Sequence, residues 1–163
     1  MRSAFLGLTT VLLATAFSGQ AQAATATATF GVSATVVKAC TISTTALSFG
    51  NYDPTSGSAV DGSSTVTVNC TNGTQYNVGL NAGTGSGATI SSRKMTQGSY
   101  SLSYALYQDS ARSSNWGNTV GTDTISGTAS ASPTSLTVYG RVPAGQNVPA
   151  GAFSDTITAT ITY

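Results

Sequence analysis

The side chains that could do chemistry are few. Two cysteines, Cys40 and Cys70, stand in a 163-residue chain that holds no histidine and no glutamate. A thiol pair can serve as a redox couple, as metal ligands or as a disulfide. The redox reading lacks a Cys-x-x-Cys spacing, and the metal reading lacks histidine partners. The chain opens on an export signal: Arg2, a mostly apolar run over residues 5–17, and the Ala21-Gln22-Ala23 cleavage pattern. An even cysteine count in an exported chain favours one disulfide. Closing that 30-residue loop contributes about 3.6 kcal/mol. The carboxylates are five aspartates: Asp53, Asp61, Asp109, Asp123 and Asp155. Without histidine or glutamate the usual acid–base and triad chemistry is missing, and only an aspartate pair meeting in space could replace it. Each aspartate lies near a turn or strand end, where Asp ordinarily caps the backbone. The expectation is no catalytic residue, no cofactor and no metal site.

Other motifs carry less. Residues 83–87 are glycine-rich, but no lysine sits among them and no helical pattern follows, so they read as a turn and not a phosphate loop. Asn69-Cys70-Thr71 and Asn72-Gly73-Thr74 match the glycosylation pattern by chance. Tyr100, Tyr104, Tyr107, Tyr139 and Trp116 could form an aromatic sugar platform. The tyrosine spacing fits core and cross-strand pairing better, which leaves Trp116, in the polar stretch 109–127, as the aromatic for a surface contact.

The elements that must position these residues are strands. Thr, Ser, Gly, Ala and Val dominate, and good helix formers other than Ala are scarce. Residues 24–163 carry five basic and five acidic side chains, a formal net charge of zero. Such a surface argues against nucleic acid and removes a brake on self-association. The clearest pattern spans residues 24–37. Every even position there is apolar (Ala24, Ala26, Ala28, Phe30, Val32, Ala34, Val36), and the odd positions through Thr35 are Thr or Ser, with Gly31 the exception. Alternation asks for one buried and one wet face. Fourteen extended residues span roughly 46 Å, while a strand averages about 5–6 residues. Pattern alone leaves two readings open: the stretch folds back onto its own sheet, or part of it serves another chain.

Further along, Lys38 breaks the apolar parity and marks a bulge or an edge. Residues 47–54 read as a short strand entering a turn, and Asp61-Gly62-Ser63 as a loop. Residues 65–70 and 76–80 read as strands joined by an Asn72-Gly73 hairpin turn. Residues 88–95 form a weak strand, 100–107 and 136–142 strong ones, and 155–163 alternate to the last residue. An edge on that last strand would invite a strand from a neighbour.

Several segments, in this order, resemble the spore coat protein U domain family, which includes subunits of archaic (Csu-type) chaperone–usher pili. They are Phe30-Gly-Val-Ser-Ala-Thr-Val with Cys40-Thr-Ile, Leu47-Ser-Phe-Gly-Asn-Tyr-Asp, and Val68-Asn-Cys-Thr-Asn-Gly-Thr-Gln-Tyr76. Then come Leu102-Ser-Tyr-Ala-Leu-Tyr-Gln-Asp109, Asn115-Trp-Gly117, Val138-Tyr-Gly-Arg-Val-Pro-Ala-Gly-Gln146 and Gly151-Ala-Phe-Ser-Asp-Thr-Ile157. The resemblance covers nearly all of residues 30–163. It implies an all-β, incomplete immunoglobulin-like β-sandwich with an N-terminal donor-strand extension. Residues 1–23 would be a cleaved signal, 24–34 the donor strand and 35–163 the sandwich. Ala26, Ala28, Phe30, Val32 and Ala34 would form the donor face. Ile157, Ala159, Ile161 and Tyr163 would border the acceptor groove, and Cys40 would bridge Cys70. A periplasmic pilus chaperone would fill the groove first. At an outer-membrane usher, the extension of a neighbouring copy or related pilus subunit would replace it. The implied role is a structural pilus subunit, exported to the periplasm and assembled on the cell surface, that supports adhesion and biofilm formation. The alternative is a monomeric secreted or coat-type β-sandwich that binds carbohydrate or surfaces.

Overall fold

The computed structural model describes residues 19–163. Most of the expected signal segment therefore lies outside the described residues. Residues 35–163 pack as one unit, and among the described residues 19–34 belong to a separate one. Residues 19–34 contain no strand or helix, and every side chain is exposed. The packed unit is built from eight strands: β1 (Cys40–Thr44), β2 (Val60–Cys70), β3 (Gln75–Leu80), β4 (Arg93–Gln97), β5 (Tyr100–Tyr107), β6 (Ile125–Thr128), β7 (Thr134–Val142) and β8 (Ala159–Thr162). There is no helix among the described residues.

The strands form two antiparallel sheets, ordered β1-β2-β7-β5-β4 and β6-β3-β8. This is the incomplete immunoglobulin-like sandwich. Alternation decides which residues meet between the layers. Val66 and Val68 on β2, Tyr76, Val78 and Leu80 on β3, Leu102, Tyr104 and Leu106 on β5, and Val138 and Val142 on β7 make the core. Cys40 stands directly opposite Cys70 across the β1–β2 ladder, and the two form the disulfide.

Four local readings change. The Asn72-Gly73 turn does form, with Thr74 N–H donating to the Thr71 carbonyl and Gly73 at φ 78°. It is not a hairpin, because β2 lies in one sheet and β3 in the other. Turn chemistry fixes a reversal, whereas the burial of the next apolar face selects the sheet it joins. Asp61-Gly62-Ser63 is strand and not loop: Asp61 faces Arg141 across β2–β7, and Gly62 faces Gly140. That glycine pair makes a slot. A Cβ on Gly62 would lie 3.1 Å from Leu47 and 3.2 Å from Phe49, and one on Gly140 only 2.8 Å from Phe49. Residues 47–54, read as a short strand, belong to no ladder; Leu47 and Phe49 instead press into this slot. The last strand is shorter than residues 155–163. Its β3 ladder covers Ala159–Thr162, while Ser154 bridges Thr96 of β4 in the other sheet. The segment crosses between layers and keeps its alternation, with Phe153, Ile157, Ala159 and Ile161 packed against the core.

Candidate functional site

The sandwich is open along one side. β1 pairs only with β2, and β8 only with β3, so each presents one edge without a ladder among the described residues. Where β1 ends and β8 begins lies a groove of about 510 Å³, lined by Thr44, Leu47, Val66, Leu106, Ile157 and Ala159 among others. A second cavity of about 720 Å³, which includes Tyr52, Leu102 and Val148, adjoins it through Leu47, Phe49, Met95 and Phe153. Core side chains such as Val66, Leu106 and Leu102 line the two cavities. Unpaired edges carry N–H and C=O groups that ask for partners, and an apolar floor asks for cover. The arrangement can take up an extended strand with alternate apolar side chains.

A polar network braces the inner wall. Arg93 is 0% exposed, a position that an arginine takes only when its donors are answered. Nε donates to the Asn81 carbonyl (2.9 Å), Nη1 to that of Ile90 (2.8 Å), and Nη2 to those of Leu80 (3.2 Å) and Trp116 (2.6 Å). Burial pulls its pKa down, opposed by the nearby Tyr104, Asp155 and Asp123. Tyr104 hydroxyl donates to Asp155 Oδ2 (2.7 Å), while the Thr84 N–H and hydroxyl both donate to Oδ1 (2.8 Å each). Burial and the bond to Asp155 push the Tyr104 phenol far up. Burial works to raise Asp155, but the bonds from Thr84, Tyr104 and Thr156 outweigh it, and the carboxyl stays below its ordinary 3.8. Asp155 and Tyr104 both line the groove. Asp155 thus ties the start of the crossing segment to β5 and to the turn after β3.

The candidate residues fall as follows. The donor face, Ala26, Ala28, Phe30, Val32 and Ala34, carries no ladder, and Phe30 and Val32 are 87% and 85% exposed. Ile157 and Ala159 line the groove, and Ile161 packs on the core beside them. Tyr163 does not join them: it follows the last β8 rung and is 55% exposed. Trp116 is not a surface aromatic. It is 0% exposed, and its indole donates to the Val78 carbonyl at 2.8 Å. A glycine-rich polar stretch hid it, because the loop folds inward so that Trp116 N–H can also reach the Leu106 carbonyl.

The other aspartates hold local structure. Asp61 takes a two-pronged bond from Arg141 (2.7 and 2.8 Å) and lies 3.2 Å from Arg112. Asp53 caps Thr55, Asp109 caps Ser113 and Ser114, and Asp123 accepts from Thr119 N–H. No cluster of three potential metal ligands occurs among the described residues. Sequence reasoning missed Arg93 and the far groove wall at Met95 and Phe153. A signal for both was there: Arg93 and Met95 share one strand parity, and the alternation of the last strand begins at Phe153 and not at Asp155.

The Spore Coat Protein U domain profile matches residues 26–160. Protein U of Myxococcus xanthus is 39% identical over an alignment that spans all of this chain and 98% of that protein. Among solved structures, the fold resembles a chain of the CsuC–CsuE chaperone–tip adhesion subunit pre-assembly complex from archaic chaperone-usher Csu pili of Acinetobacter baumannii. There the TM-score is 0.60 at 21% identity, covering 79% of this chain and 40% of the length of the other. With a profile matched across almost the whole sandwich and a full-length relative of that identity, the chain belongs to the Spore Coat Protein U domain family.

Proposed function

We propose that the chain is a structural subunit of an archaic chaperone–usher pilus, and that residues 24–34 of one copy fill the open groove of the next. The observation that carries this reading is a pairing of opposites. Residues 24–34 expose an unpaired, alternating apolar segment, and the sandwich exposes a groove reaching core side chains beside two strands, β1 and β8, each with an unpaired edge. Each is costly alone, and each supplies what the other lacks. A periplasmic chaperone would occupy the groove before assembly, and an outer-membrane usher would host the exchange. The likeness to a chain of a chaperone–subunit pre-assembly complex supports the chaperone as a partner. Export to the periplasm and display on the cell surface, with a part in adhesion and biofilm formation, follow from the same role. Nothing in it calls for catalysis or a cofactor.

The test is assembly on unboiled denaturing gels. The mature chain is expected to give ladders that collapse to monomer on boiling, and deletion of residues 24–32 is expected to abolish them. A second reading, a coat-type sandwich acting as a monomer, draws on the family's description and on the likeness to Protein U. It predicts a stable monomer that the deletion leaves unchanged.

A further inference from the structure

We infer that Thr71 is a positioning residue: its hydroxyl holds the base of the extension in line with β1 and so keeps residues 24–34 out of their own groove, reserving them for a second copy of this chain. The inference rests on the strand-donation reading. It answers a difficulty in that reading. A strand tethered to its own groove by a short linker meets it at an effective concentration of order mM, far above what neighbours offer. Unless something opposes it, self-insertion wins.

The opposition is built at the end of the β1–β2 ladder. Beyond the last rung, Cys40 opposite Cys70, Thr71 N–H donates to the Ala39 carbonyl at 2.9 Å. Ala39 N–H donates to Thr71 Oγ1 at 3.1 Å, and Thr71 Oγ1 donates to the Val37 carbonyl at 3.2 Å. These three bonds carry the line of β1 backwards past its first residue. Packing does not hold this segment, since Val36 and Val37 are 82% and 71% exposed. Of β1 the groove touches only the last residue, Thr44, with residues 45–47 and Phe49 beyond it, so an extension that leaves β1 at Cys40 can reach the groove only after a reversal within residues 35–39. That stretch, Thr35-Val36-Val37-Lys38-Ala39, has no Gly, Pro, Asn or Asp. Tight hairpins need positive φ at their centre, and three β-branched residues in succession favour extended backbone. A reversal would therefore break the Thr71 bonds and force turn geometry on residues that resist it.

The experiment follows hydrogen exchange in the isolated full mature chain, together with its rate of assembly. In the native chain, amides 26–32 are expected to exchange as if unfolded. Thr71→Val keeps the shape and removes the hydroxyl. It is expected to give those amides at least tenfold protection and to slow assembly several-fold, with Thr71→Ser restoring both. Adding an Asn-Gly insertion after Thr35 to Thr71→Val should deepen the protection and stop assembly. A purely structural Thr71 would lower Tm without protecting residues 26–32. That result overturns the inference, as does protection of those amides in the native monomer. If the native chain never assembles, the strand-donation reading fails while exchange still decides the role of Thr71.

Discussion

Phe30→Asp is expected to abolish assembly between copies while the complex with the periplasmic chaperone forms at the native level. The donor face is small: of its five residues, only Phe30 and Val32 are larger than alanine. Each large residue contributes about 1.5–3 kcal/mol on burial, and an alanine less. Phe30 is the bulkiest and is 87% exposed before any partner covers it, so its whole burial remains to be gained at assembly. An aspartate there loses that gain and also places a carboxylate in an apolar trough, at a cost of several kcal/mol. Together these amount to a loss of at least ~10³-fold in strand affinity, since each 1.4 kcal/mol is about tenfold. In the proposed order of partners the chaperone would bring its own strand, so its complex would not depend on Phe30. Ladders that survive Phe30→Asp on unboiled gels would contradict the proposed anchor.

The second large effect is expected at Arg93. Arg93→Met keeps the length of the side chain and removes all the donors that answer the carbonyls of Leu80, Asn81, Ile90 and Trp116. A charged donor contributes about 1.5–3 kcal/mol per bond, and a buried carbonyl left unanswered costs about 1–3 kcal/mol. Some carbonyls will find water, so the expected net loss is about 3–5 kcal/mol. At roughly 2–8 °C per kcal/mol for domains of about this size, Tm should fall by at least ~6 °C. Arg93→Lys should recover only part of this, because a compact ammonium with three donors cannot span the four carbonyls. Thermal unfolding followed by circular dichroism measures both. A change of no more than a few degrees for Arg93→Met would contradict the bracing role.

The two sites differ in how far the sequence reveals them. The alternation of residues 24–34 is legible, because period-2 alternation is local and needs no tertiary partner to be seen, but it leaves open whether the segment serves its own sheet or another chain. The strands around Val66, Val78, Leu102 and Val138 are legible for the same reason. Arg93 is not, since its burial depends on carbonyls from three separate stretches that only the fold brings together. Trp116 misleads for a related reason: polarity around it reads as surface, yet its indole finds Val78 in the core. The Asn72-Gly73 turn marks a reversal but carries no information about which sheet follows. Residues 47–49 alternate like a strand, yet the Gly62–Gly140 slot takes their side chains and leaves their backbone without a ladder. The groove is half legible. The alternation of residues 157–161 gives one wall, whereas the rest comes from Thr44–Leu47 and Phe49, most of which join no ladder, and from Met95 on β4, which only the fold brings alongside.

The measurement that tests strand donation most directly is complementation by a peptide. The chain without residues 24–34 retains the whole compact unit 35–163, and a synthetic peptide of residues 24–34 is titrated into it while Tm is followed. The account predicts a saturable rise in Tm with the native peptide and none with the Phe30→Asp peptide. No rise with the native peptide at any concentration, or an equal rise with both, would contradict it.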